Sequence, residues 1–125
     1  MYFKLLSKKD LLLENIIEGI LEKKGREIID IDLAKIKSTL CDHFIICHAD
    51  SSTQVNAIAD SVEKRVKEQL NINIGHREGV ENAMWILLDF YDIVVHIFQG
   101  KIREYYRLEE LWGDAKIKRI EESFI

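Results

Sequence analysis

From Lys9 to Lys24 the apolar residues Leu12, Leu13, Ile16, Ile17, Ile20 and Leu21 recur at three- and four-residue steps, with Glu14, Glu18 and Lys23 off the stripe. The spacing predicts a first helix. Ser7, three residues before Asp10, forms a capping pair, and Gly25 stands where a helix end commonly turns left-handed. From Ile28 to Leu33 the period changes to two, with Ile29, Ile31 and Leu33 on one face and Asp30 and Asp32 on the other, the pattern of a half-buried strand. A polar connection, Ala34 to Asp42, leads to His43-Phe-Ile-Ile-Cys47, apolar on both faces and so an interior strand. After a cap at Ser51 or Ser52, a second helical stripe runs through Val55, Ile58, Ala59, Val62 and Val66 to Leu70, backed by a charged, solvated face. Ile72-Asn-Ile74 reads as a short edge strand, followed by a polar bend at Gly75, His76 and Gly79.

The stretch Met84 to Phe98 holds two apolar runs hinged at Tyr91-Asp92, a β-hairpin. Alternation places Ile86 and Leu88 with Ile93, Val95 and Ile97 on a wholly aliphatic face, which belongs against helices. Trp85, Leu87 and Asp89, with Val94, His96 and Phe98, form a mixed face. Large apolar anchors beside directional polar groups suit a docking surface, although a Trp and a Phe on a strand are also ordinary core residues. Gly100 ends the second arm. Tyr105, Tyr106, Leu108, Leu111 and Trp112 then predict a short helix or tight turn, and the charged tail Lys116 to Ile125 is expected to fray or form a loose helix.

The expected fold is α/β (mixed α+β), in the order α-β-β-α-β-β-β-α: a mixed sheet of about five strands with helices mainly on one face and the second face free. Length and composition agree with one domain over 1–125, since 125 residues at 47% hydrophobic support one core, and no Pro or Gly/Ser-rich linker divides them. A formal charge of −4 gives no footprint for non-specific nucleic-acid binding and fits a basic partner better. Two cysteines, Cys41 and Cys47, are too few for a disulfide framework, which points to a reducing, cytoplasmic setting. The start of the chain lacks a secretory layout, and no apolar run approaches the ~20 residues of a membrane span.

Asp30 and Asp32, two carboxylates on one strand face, are what a magnesium-dependent nucleotidyltransferase would use for metal. The phosphate-holding loop of such an enzyme is missing, because the strand-to-helix turn His48-Ala-Asp-Ser-Ser contains no glycine and adds a carboxylate. Cys41, His43, Cys47 and His48 match no usual zinc spacing. No catalytic residue, metal or cofactor is expected.

Several stretches together resemble the ribosomal silencing factor, or Iojap-related, family. They are Asp42-His-Phe-Ile-Ile46; Ser51 with Gln54-Val55 and Ala57-Ile-Ala-Asp60; Glu78-Gly79; Trp85-Ile-Leu-Leu-Asp89; Asp92-Ile-Val-Val-His-Ile-Phe98; and Arg103, Tyr106, Leu108-Glu109, Leu111-Trp112 and Asp114-Ala115. Their order and spacing carry the resemblance, over a family-like core of about residues 9–115. This chain departs from the family at His48-Ala49, where the family has Thr-Gly, and at Tyr91, where it has a glycine in the hairpin turn.

The resemblance implies a nucleotidyltransferase-like fold without a catalytic site. It also implies a non-enzymatic factor that docks on the large ribosomal subunit, at its protein numbered fourteen, and blocks joining of the small subunit. The alternative is a metal-dependent nucleotidyltransferase-like enzyme using Asp30 and Asp32. No sequence-specific nucleic acid and no membrane is implied as a partner, and a homodimer off the ribosome is left open. The hairpin residues expected to meet the partner are Trp85, Leu87, Asp89, Asp92, His96 and Phe98. Tyr106, Glu109 and Trp112 join them from the segment that follows.

Overall fold

The computed structural model describes residues 7–36, 41–79 and 82–120. Helix α1 (Lys8–Glu22) starts on the expected cap: Asp10 N donates to Ser7 Oγ at 3.1 Å, and Ser7 N donates to Asp10 Oδ2 at 3.3 Å. This reciprocal pair satisfies two amides that a helix start leaves open. At the other end Lys24, with φ 60°, turns left-handed in place of Gly25. Gly25 serves space instead, since a Cβ there would collide with the Ile20 side chain.

The chain continues through β1 (Arg26–Asp32), β2 (His43–Ala49), α2 (Ser52–Leu70), β3 (His76–Glu78), β4 (Trp85–Asp89), β5 (Ile93–Gln99), α3 (Gly100–Tyr106), α4 (Leu108–Leu111) and β6 (Lys116–Arg119). The strands form one mixed sheet in the order β3-β4-β5-β2-β1-β6. Among the described residues only β2 and β5 pair in parallel, and the other ladders are antiparallel. The mixed α/β class and the hairpin are as expected.

Three elements differ from expectation. The edge strand is His76–Glu78 rather than Ile72–Ile74. Ile72 and Ile74 pack against the helical core, while Arg77 is clamped to α2 by Asp60 at 3.0 Å and Glu63 at 2.7 Å. The tail does not fray over 116–119; it adds a sixth strand beside β1, with Lys116 opposite Asp32 and Lys118 opposite Asp30. Opposite charges across a ladder stabilise the pairing, so β1's acidic alternation and the tail's basic alternation belong together. Third, the segment after β5 makes two short helices, α3 and α4, that fold back over the second face of the sheet. Met1–Leu6, residues 37–40 of the connection and Glu121–Ile125 of the tail lie outside the described residues.

The two long helices cover one face, where Ile45, Cys47, Ile86, Leu88, Val95 and Ile97 meet Ile16, Ile20, Val55, Ile58 and Val62. The helices α1 and α2 come close at Gly19, where a Cβ would lie 2.9 Å from Val62 Cα and where Ser61 Oγ donates to Gly19 O at 2.8 Å. On the opposite face Ile29, Ile31, Leu33, Ile46 and Phe98 form a second, smaller core beneath Ile102, Leu108 and Trp112. The hairpin turn keeps its shape without a glycine. Tyr91 holds φ 72°, and its N donates to Asp89 Oδ1 at 2.7 Å. Ala49 ends β2 paired with Gln99 and with no positive φ, so its side chain brings no backbone strain.

Candidate functional site

The second face of the sheet carries an aromatic cluster drawn from four elements. Trp85 of β4 lies 4.7 Å from Phe98 of β5 and 4.9 Å from Tyr106 of α3, centroid to centroid. Phe44 of β2 meets His96 edge-on at 4.8 Å and Trp112 at 5.8 Å. These separations are those at which aromatic pairs attract beyond simple area burial. Trp85 Nε1 donates to His96 Nδ1 at 3.1 Å, which leaves the neutral imidazole its proton on Nε2. Burial alone pushes His96 down to about 4, so it stays uncharged at neutral pH. His96 therefore acts as an acceptor that fixes the rotamer of Trp85.

The cover formed by α3 and α4 corrects the expectation of a free second face. Phe98 is 1% exposed and His96 5%, so both are interior and cannot themselves meet a partner. Their role is to support Trp85, which is half-buried beside half-buried Leu87. The groups that reach solvent there are Tyr106 at 48% exposure and Tyr105 at 80%, their rings 5.1 Å apart, and Leu111 of α4 at 71%. Sequence reasoning singled out Tyr106 of these three as a contact and missed the others, together with Phe44. Phe44 was legible in principle, because it shares alternation parity with Ile46, whereas Tyr105 and Leu111 needed the helix positions.

The remaining expected contacts scatter. Trp112 is half-buried against Phe44 and belongs to the cover. Asp89 and Asp92 sit at the far end of the hairpin, about 13 Å along the strand from Trp85. Asp89 is engaged in the turn, while Asp92 is exposed and its carbonyl accepts from Asp42 N at 2.7 Å. Glu109 faces away from the cluster, into a crevice lined by Arg103 and Arg107.

On the helix-covered face Asp30, 8% exposed, accepts from His43 Nδ1 at 2.7 Å, and Asp32 Oδ1 accepts from Ala34 N at 3.0 Å. Both carboxylates of the enzyme alternative are thus engaged structurally. Among the described residues no group of three or more His, Cys, Asp or Glu is placed to hold a metal. His43 and His48 lie on opposite faces of β2, one beside Asp30 and the other beside Arg103.

Three histidines set an expected pH profile for stability. The hydrogen bond it donates to Asp30 raises His43, so its stabilisation is complete below an unfolded histidine's value near 6.5 and is lost as pH rises through the higher folded value. Burial lowers His96 and, with Arg103 adding to it, His48; folding resists their protonation, and stability falls as pH drops below about 6.5. Urea midpoints across pH should peak near neutrality, and His43→Gln should flatten the alkaline limb only. An unchanged alkaline limb in that variant would show that the Asp30 pair contributes nothing.

A mixed α/β sheet with long helices on one face and an aromatic, partly covered second face defines the class of protein. A family model described as "Ribosomal silencing factor during starvation" matches residues 7–124. A ribosomal silencing factor of Halalkalibacterium halodurans is 41% identical over 110 residues, 88% of this chain and 92% of that protein. One of Bacillus subtilis is 41% identical over 96 residues, 77% of this chain and 80% of that protein. A crystal structure from Chromobacterium violaceum superposes with a TM-score of 0.79 at 34% identity, covering 95% of this chain and 92% of that one. The chain belongs to the ribosomal silencing factor family.

Proposed function

We propose that the protein docks on the large ribosomal subunit at its protein numbered fourteen, obstructs joining of the small subunit and so represses translation in the cytoplasm, without catalysing a reaction. The observation that carries this reading is the aromatic platform: Trp85 is locked by His96, backed by Phe98, and extended to solvent by Tyr106 and Tyr105. A rigid, half-buried Trp rimmed by exposed Tyr is the composition of an interface hot spot. The formal charge of −4 favours approach to a basic ribosomal protein.

Light scattering during mixing of purified subunits tests the reading. The protein is expected to lower the final amplitude in proportion to its occupancy of the large subunit, with no nucleotide consumed. Unchanged joining at saturating protein overturns it. Metal-dependent nucleotide turnover abolished by Asp30→Asn with Asp32→Asn would favour the enzyme instead.

A further inference from the structure

The parallel pair β2 and β5 sends the chain to opposite faces of the sheet at its carboxyl ends: β2 runs into α2 against the large core, and β5 runs into α3 over the small one. In open α/β sheets such a divergence leaves a crevice beyond the strand ends, the usual place for a ligand. Here the crevice has a volume of about 810 Å³, within the range of small-molecule sites. Its walls are charged. Arg26 of β1, Arg103 of α3, Arg107 at the α3–α4 junction and Arg119 of β6 converge on it.

Arg103 is 9% exposed, and its Nη1 donates to Arg26 O at 3.3 Å and to His48 Nδ1 at 2.9 Å. Those two bonds aim a guanidinium, the side chain best shaped for bidentate contact with phosphate. Being an acceptor at Nδ1, His48 is neutral and presents its proton at Nε2. Carboxylates including Glu27, Glu104 and Glu109 also line the crevice, so a bare anion meets no net positive charge there. A ligand that gives phosphate oxygens to the arginines and hydroxyl or amino hydrogens to the glutamates satisfies both sets of groups. The ion pairs now in place, Arg107 with Glu110 at 3.4 Å and Arg26 with Asp50 at 3.9 Å, are exposed and yield easily to a ligand.

We propose that this crevice binds a small phosphorylated molecule of the nucleotide class. The site is separate from the aromatic platform, none of whose side chains lines it, and it stands or falls independently of ribosome docking.

Calorimetric titration of the full chain with ADP, with adenosine, pyrophosphate and a short single-stranded RNA run in parallel, tests the proposal. ADP is expected to bind saturably with a dissociation constant of about 1 mM or tighter, and adenosine not at all. The double variant Arg107→Gln, Arg119→Gln changes two exposed side chains, so it should keep the parent melting temperature and lose roughly tenfold or more in ADP affinity. Absence of saturable ADP binding overturns the proposal, as does equal affinity in the double variant. Pyrophosphate binding as tightly as ADP would reduce the site to an anion contact, and RNA binding without ADP binding would make it a nucleic-acid surface; either result also refutes it.

Discussion

Trp85→Ala is expected to weaken binding to the large subunit by about 2–3 kcal/mol, roughly thirtyfold or more in affinity, because a rigid, centrally placed Trp is the commonest kind of interface hot spot. The substitution also reaches into the fold. It removes the donor to His96 Nδ1 and one side of the stack on Phe98, leaving a buried acceptor unsatisfied. An orphaned buried polar atom typically costs about 1–3 kcal/mol of stability. Binding must therefore be measured per folded molecule, with a denaturation midpoint for the same sample. Trp85→Phe separates the two effects, since it keeps the aromatic face and drops the indole donor: stability should fall, and most of the docking area should remain. Should Trp85→Ala bind the subunit as tightly as the parent, the platform is not the docking surface.

Alternation alone sorted the hairpin correctly. Ile86, Leu88, Ile93, Val95 and Ile97 all lie in the large core, because a period of two leaves no freedom once the register is set. Alternation could not say what covers the other face. That depended on α3 and α4, short helices of 7 and 4 residues whose apolar positions are too few to show a period. The same limit hid β6, four residues long and exposed throughout, whose partner lies far earlier in the chain, in β1. Its signal was electrostatic. Asp30 and Asp32 looked like metal ligands in isolation, yet they stand opposite Lys118 and Lys116 on a strand flanked on both sides, and Asp30 has His43 at hydrogen-bond distance. Tyr91 shows the converse case, in which a residue unsuited to a left-handed turn adopts it because the Asp89 carboxylate and the flanking ladder hold the turn closed.

The second core makes the most severe stability prediction, and it concerns a residue whose strand position first suggested a contact role. Phe98 is 1% exposed, is packed with Ile29, Ile31, Leu33 and Ile46, and forms the floor on which Trp85 rests. Truncating a buried Phe loses its transfer free energy and leaves a cavity, together about 3–5 kcal/mol. Set against a total stability of about 5–15 kcal/mol for a typical domain, Phe98→Ala should lower the urea midpoint sharply and leave a substantial unfolded fraction at 37 °C. Phe98→Leu fills most of the space and should lose far less. Tyr105→Ser is the matching surface control: at 80% exposure it should change stability by no more than about 0.5 kcal/mol while weakening docking. The informative quantity is the pattern across the three variants. If Phe98→Ala keeps the parent midpoint while Tyr105→Ser unfolds the protein, the face beneath α3 and α4 is a surface rather than a core, and Trp85 has no floor to hold it in place.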